Sequence, residues 1–207
     1  MNTTKKSLAT VSIAAAALAS LSVGFAPGAS ADATALKSFS KSFQQDCNPV
    51  GPFGAQTLGA VVSGTHPTAV KRGAAFKLTN AKIKVTVPAG LNSAAYASGA
   101  RSQTVTFSVV NLNNTNVAPA VKDIIATNIT TARVNILPAQ TTTFTAPKSG
   151  GLTVALKGGT KVGTGTLKSG AVKATFQLFD ANGAKIGGPQ PVTCGAENVV
   201  LTTLKVN

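Results

Sequence analysis

Five carboxylates, one histidine and two cysteines are almost all that this 207-residue chain offers to acid–base, nucleophilic or metal chemistry. General acid–base catalysis needs paired groups whose surroundings push their pKa values apart. Of the acids, Asp32 lies near the start of the chain and Asp180 opens the turn Asp180-Ala181-Asn182-Gly183, which leaves Asp46, Asp123 and Glu197. Asp46 and Glu197 flank Cys47 and Cys194, so a bond between the cysteines would bring both acids together. A carboxylate pair of that kind is the equipment of a glycosidase. The competing reading is two surface acids paired with nearby lysines. A sugar cleft also presents aromatic platforms, and this chain has no Trp and a single Tyr, Tyr96.

The other motifs are weaker. A Ser-His-Asp triad would have to use His66, which sits in Thr65-His66-Pro67 and reads as a solvated turn residue. No Gly-x-Ser-x-Gly elbow occurs. Gly158-Gly159-Thr160-Lys161-Val162-Gly163-Thr164-Gly165 looks like a phosphate loop. It lacks the Gly-Lys-Ser/Thr ending and the helical pattern that follows a P-loop, so it reads as a glycine-rich β-turn. Two cysteines and one histidine do not make a four-ligand metal site. No catalytic, cofactor or metal residue is assigned, and the expected class is non-enzymatic.

The elements that would position these groups start after a leader. Lys5 and Lys6 precede the uncharged run Leu8 to Phe25, Pro27-Gly28 breaks it, and Ala29-Ser30-Ala31 is a small-x-small cleavage pattern. The expectation is a signal peptide over 1–31, a mature chain from Asp32 without a transmembrane anchor, and a secreted or extracellular address, cell-wall association included. Two cysteines in an exported chain point to a disulfide. Two free thiols or an intermolecular link are the competing readings. Closing a loop from Cys47 to Cys194 would stabilise the fold by roughly 5 kcal/mol on the chain-entropy model.

The formal net charge is +14, with only Lys5 and Lys6 of that charge in the leader. Such a surface attracts polyanions. Lys82 and Lys84 fall on one strand face, and Lys157, Lys161, Lys168 and Lys173 come from adjacent hairpins; these six are the candidate polyanion contacts. The blander account is a solvated face that guards strand edges. Nucleic-acid binding calls for basic residues interleaved with stacking aromatics. The nine phenylalanines read mostly as core, so specific nucleic-acid binding is not expected.

The period of the apolar residues is two. Residues 32–40 read as a loose N-terminus and 41–207 as one domain. Strands are expected at Lys41–Gln44, Thr57–Gly64, Ala75–Val87, Gln103–Leu112, Thr131–Leu137, Thr141–Ala146, Gly151–Lys157, Val162–Leu167, Val172–Phe179 and Asn198–Val206. Ile83, Val85 and Val87 face inward, as do Val105, Phe107 and Val109, and Val172, Ala174, Phe176 and Leu178. Leu91–Ser98 is the one helical stretch, with Gly99 suited to its end. About nine to eleven short strands broken by Gly and Pro indicate an all-β, antiparallel, Ig-like sandwich. An outer-membrane barrel would need aromatic girdles that this composition lacks.

The arrangement is similar to uncharacterised exported β-sandwich proteins of actinobacteria that carry an early Phe-x-x-x-Cys element and a late Cys. The matching pieces are Phe43 to Cys47, Ile83-Lys84-Val85-Thr86-Val87-Pro88, the Ser98-Gly99-Ala100 step into the strand at Val105, and Val192-Thr193-Cys194. The resemblance implies an Ig-like sandwich and an envelope or extracellular address, and it brings no active site with it. The expected function is a secreted, non-enzymatic binding or structural protein with a cationic surface. Its partner would be an anionic cell-wall polymer or another extracellular protein. The alternatives are a secreted hydrolase with a site near Asp46, Glu197 and His66, and a protein-binding inhibitor or toxin using the loop Asn111 to Asn116.

Overall fold

The computed structural model describes residues 35–207; the expected leader over 1–31 and its cut lie outside them. The chain forms β1 (Leu36–Val50), a 3-10 turn at Gly51–Phe53, β2 (Gln56–Pro67), β3 (Ala69–Val70) and β4 (Ala75–Val87). The helix α1 (Ala89–Ala97) leads into β5 (Ser102–Thr115), and four short strands follow: β6 (Val117–Ala118), β7 (Val121–Asp123), β8 (Ile129–Thr130) and β9 (Val134–Asn135). The last five are β10 (Thr142–Ala146), β11 (Leu152–Gly158), β12 (Gly163–Phe179), β13 (Lys185–Cys194) and β14 (Val200–Val206).

These strands make one large mixed sheet with two arms. In one arm β1 pairs with β2 and β2 with β4, whose other edge carries β11 along its first part and β10 along its second. In the other arm β12 is central. Its one edge is shared by β14 and β13, and its other is taken by β5, which in turn carries β7, β8 and β9. The arms join where Cys47 and Val50 of β1 stand opposite Cys194 and Val192 of β13, and again where β6 pairs with β11. One pair, β3 beside β14, is parallel, so the sheet is not wholly antiparallel as expected. Phe144 of β10 meets the edge of Phe176 of β12 with ring centroids 6.2 Å apart. The arms therefore face each other across a shared core that includes Leu58, Ile83, Phe107, Leu156 and Leu167.

Most expected inward positions are buried: Ile83, Val85 and Val87 in β4, and Val172, Ala174, Phe176 and Leu178 in β12. The expected run in β5 changes side. Val105 and Phe107 are buried, but Val110 and Leu112, not Val109, continue the core face. Lys173 pairs with Val109 while Ala174 pairs with Phe107, which leaves Ser108 as the extra residue of a bulge. A second bulge in β4 at Thr79–Asn80, with Asn80 at φ 52°, switches the core face from Leu78 to Ala81. Gly151 is required beside it, because a Cβ there would collide with the Asn80 backbone.

Other expectations are corrected. Leu36–Ser40, within the stretch expected to be loose, pair with Pro67–Ser63 of β2. Their side chains are mostly exposed, so the backbone ladder rather than a hydrophobic pattern holds them. The strands expected at Val162–Leu167 and Val172–Phe179 are one, β12, which runs on past Gly170. There a Cβ would lie 2.7 Å from the Asn111 carbonyl oxygen, so the residue must be glycine. Of the strand expected at Thr131–Leu137 only the two-residue β9 forms, along the edge of β5, with β8 just ahead of the expected stretch. The helix is where expected, with Leu91, Asn92 and Ala95 turned inward and Gly99 at φ 95° beyond its end.

Cys47 and Cys194 form a disulfide, both residues are buried, and the bond closes 147 positions of chain. It lies at the narrow join of the two arms. Next to it the buried Gln45 amide donates to the carbonyl oxygens of Gly170 (3.0 Å) and Gly195 (2.7 Å), tying β1 to the other arm by a second route.

Reduction, or Cys47→Ala with Cys194→Ala, is expected to lower unfolding free energy by up to about 5 kcal/mol in denaturant titrations; an unchanged midpoint would contradict this role. Gln45→Leu leaves two carbonyls without that donor and is expected to cost about 2 kcal/mol in the same assay.

Candidate functional site

The disulfide does bring Asp46 and Glu197 together. Because Cys47 stands opposite Cys194, the chain after β13 turns back across the end of β1, and the Gly195 N–H donates to the Asp46 carbonyl at 3.0 Å. The Glu197 carboxylate then accepts the Asp46 backbone N–H at 3.2 Å. The Asp46 carboxylate accepts the Thr57 hydroxyl at 2.7 Å. Both acids are exposed, beside an open recess lined by Asp46, Asn48, Gln56, Thr57, Thr193 and Gly195. The Glu197 carboxylate holds the turn that brought it there, the Asp46 carboxylate braces β1 against β2, and no lysine among the described residues is hydrogen-bonded to either. The expected pairing of these acids with nearby lysines is replaced by backbone and hydroxyl donors.

His66 does not belong to this group. It lies nine positions beyond Thr57 along β2, which is about 30 Å at the rise of an extended strand. It is also buried, contrary to the expected solvated turn. The strand simply continues through Thr65-His66-Pro67, and His66 falls on the inward series Leu58, Ala60, Val62, Gly64. Counting that alternation two residues further would have found it. Its Nδ1 lies 2.8 Å from the Pro67 carbonyl oxygen and its Nε2 2.9 Å from the Thr202 hydroxyl. A carbonyl oxygen only accepts, so Nδ1 carries the proton and Nε2 accepts from Thr202 in the neutral ring. Phe39 packs against the ring with centroids 5.9 Å apart. No carboxylate orients the imidazole, so the geometry of a catalytic triad is missing.

The phosphate-loop lookalike is already filled. Gly158–Gly163 joins β11 to β12 around Asn116, whose side-chain amide donates to the Lys161 carbonyl (2.9 Å) and whose Oδ1 accepts the Lys161 N–H (3.4 Å). The loop closes on an asparagine of its own chain instead of an anion. Nor is Asn111 to Asn116 a free loop. Asn111 to Thr115 belong to β5, where Asn113 and Thr115 are paired with Lys168 and Thr166 of β12. Among the described residues no group of three or more His, Cys, Asp or Glu side chains is placed to hold a metal ion. No helix among them is long and apolar enough to cross a membrane.

The six candidate lysines do not form one patch. Lys82 and Lys84 project from the outer side of β4, paired with Ser63 and Val61 of β2. Lys157 of β11 shares that outer side, as does Lys77 of β4. Lys168 and Lys173 stand on the outer side of β12, in the other arm, opposite Asn113 and Val109. Lys161 is in the β11–β12 turn.

The other described acids, Asp123 and Asp180, do not pair with these lysines either. Asp123 accepts the N–H groups of Val110 and Ile125, both at 3.1 Å. Asp180 accepts those of Asn182 (2.9 Å) and Ala184 (2.8 Å) in its hairpin turn. The hydrogen bonds of every carboxylate among the described residues thus go to backbone N–H groups or a hydroxyl, and none to a lysine or arginine. No family model matches this chain, and neither a curated protein nor a solved structure matches it.

Burial moves the His66 pKa below its ordinary value of 6.5, with Lys37 adding to the effect and the Pro67 bond opposing it. The unfolded chain therefore binds this proton first as pH falls. Stability linked to His66 is expected to be complete above about pH 6.5 and to fall as pH drops toward the depressed folded value. Denaturation midpoints across that range should show the loss, and His66→Gln should remove it.

Proposed function

We propose that this chain is a secreted, non-enzymatic protein of the cell envelope that holds anionic wall polymers by its lysine-bearing outer faces. The observation that carries the reading is the allocation of charge. The described carboxylates are committed to backbone N–H groups or, for Asp46, the Thr57 hydroxyl, while lysines stand unpaired by the described acids on the outer sides of β4, β11 and β12. A protein that needed only solubility could intersperse both signs. One that must hold a polyanion benefits from leaving its cations free. The buried disulfide supports an oxidising compartment outside the cell.

The same proposal includes the Ig-like sandwich form, supported by two arms that share one core, and kinship with the exported actinobacterial β-sandwich proteins described above. The hydrolase alternative has one supporting observation, the adjacency of Asp46 and Glu197, and lacks a histidine within reach of them.

The protein is expected to sediment with purified cell wall at low salt and to be released as salt rises, because exposed charges are screened. Absence from the pellet at low salt would overturn the reading. Hydrolysis of a wall polysaccharide by the purified protein, abolished in Glu197→Gln, would favour the hydrolase instead.

A further inference from the structure

Two outer faces carry lysines, and they differ in what surrounds the charges. On the arm of β1, β2, β4, β10 and β11 the registers set outward side chains in ranks across neighbouring strands. Ser42, Val61, Lys84 and Thr145 form one rank, and Ser40, Ser63 and Lys82 the next. The rank on the far side of Lys84 is Gln44, Gly59, Thr86 and Thr143. Apart from the lysines, Val61, Gly59 and Gln44, these ranks are serine and threonine, and they hold no aromatic, no arginine and no acid. Strands lie about 4.8 Å apart and same-face residues about 6.6 Å apart along each strand, so hydroxyls flank the ammonium groups at short, regular intervals. Lys77, Lys82 and Lys84 follow one another along the outer side of β4, with the bulge at Thr79–Asn80 between the first two, and Lys157 of β11 stands opposite Ala75, diagonal to Lys77. The cations thus form a stripe parallel to the strand, bordered by low hydroxyl side chains over which a chain can lie flat.

The outer face of β12 is different. Lys168 lies between Asn113 and exposed Val200, and Lys173 between half-buried Val109 and Thr193, so one hydroxyl stands among these four cross-strand neighbours. Five positions separate its two charges, whereas Lys82 and Lys84 are successive residues of one face. Asp123 borders β5 on that side, as Asp46 borders β1 one rank beyond Gln44 on the other arm.

We infer that the outer face of β4 is the binding surface, and that its ligand is a linear phosphodiester polymer of polyol or sugar units lying along the lysine stripe. This rests on the reading of the chain as a polyanion binder and adds where the polymer sits and what it is. A line of anions matches a line of cations. Lysine supplies point charges suited to phosphate, and arginine, whose planar fork fits carboxylate and phosphate alike, is absent from these ranks. Serine and threonine hydroxyls both donate and accept, so they can bond phosphate oxygens and the hydroxyls of the polymer backbone. A nucleic acid would leave its bases without a stacking surface, because no aromatic lies on this face.

The test is titration of the full secreted protein with poly(glycerol phosphate), with polygalacturonate as the carboxylate polymer and single-stranded DNA as the base-bearing one. Lys82→Gln/Lys84→Gln is compared with Lys122→Gln/Lys185→Gln, which removes the same charge from the other arm. Thermal melts check that both variants fold. The stripe variant is expected to bind poly(glycerol phosphate) at least tenfold more weakly, since each lysine at an anionic surface contributes a similar share. Its slope of log affinity against log salt should fall by about two. The control variant should change affinity by less than about threefold on the same scale.

Equal losses in the two variants would overturn the localisation and leave the polyanion reading standing. Equal or tighter binding of polygalacturonate or DNA by the unmodified protein would overturn the phosphodiester assignment. No binding of any of the three at low salt would be failure of the underlying reading itself.

Discussion

Where β1 meets β13, Cys47 with Cys194 and Val50 with Val192 are the register pairs, while β1 and β2 are laddered from Leu36 to Cys47. This narrow join has to keep two broad arms closed over a common core. Apolar burial drives the arms together but does not by itself fix their register at the join. Covalent linkage at that point and the paired bonds of the Gln45 amide supply the direction that burial lacks. The bond also shortens a very long closure, which is where a cross-link restricts the unfolded chain most.

The turns follow a second constraint. With few acids available, the chain uses them where backbone N–H groups lack strand partners: beside Val110 and Ile125, in the Asp180 hairpin, and at the crossing of Asp46 with Glu197. Such charge-assisted bonds are stronger than neutral ones and hold a turn at a defined angle. The consequence is electrostatic asymmetry. Negative charge is drawn into local structure, while positive charge remains on outward strand positions. Lys41 shows a related use. It pairs with the buried Val62, on the core-facing side of β1, yet is exposed. An inward-pointing charge of that kind discourages another strand from adding to a free edge.

Period-two alternation made β4, β10, β11 and the second half of β12 legible in the sequence, because each buries a regular series against the core. It failed wherever backbone rather than side chains decided the outcome. The extra residue at Ser108 moves the core face from Val109 to Val110, and no residue type announces it. Leu36–Ser40 join a ladder while burying little. His66 shows the opposite failure, since a proline beside it outweighed an alternation that ran unbroken from Leu58. The meeting of Asp46 with Glu197 followed correctly from the cysteines. That both would be occupied by local donors did not, because those partners come from turn geometry. The division of the lysines between two arms was likewise hidden, since adjacent hairpins in sequence need not share a face of the sheet.

The position of the disulfide also sets how the protein answers a pull on its ends. Tension entering at Leu36 runs along β1 to Cys47, crosses the sulfur bridge to Cys194, and leaves through β14. The chain from Asn48 to Thr193, which holds most of the core, is bypassed by the bridge. Only the outer part of β1 and the final strand can be peeled away and lengthen under load. The lysines of the β4 face and their β2, β10 and β11 neighbours lie within the bypassed span. Its Ser40, Ser42 and Gln44 border belongs to the part of β1 that yields, so load would strip that border and spare the lysine stripe.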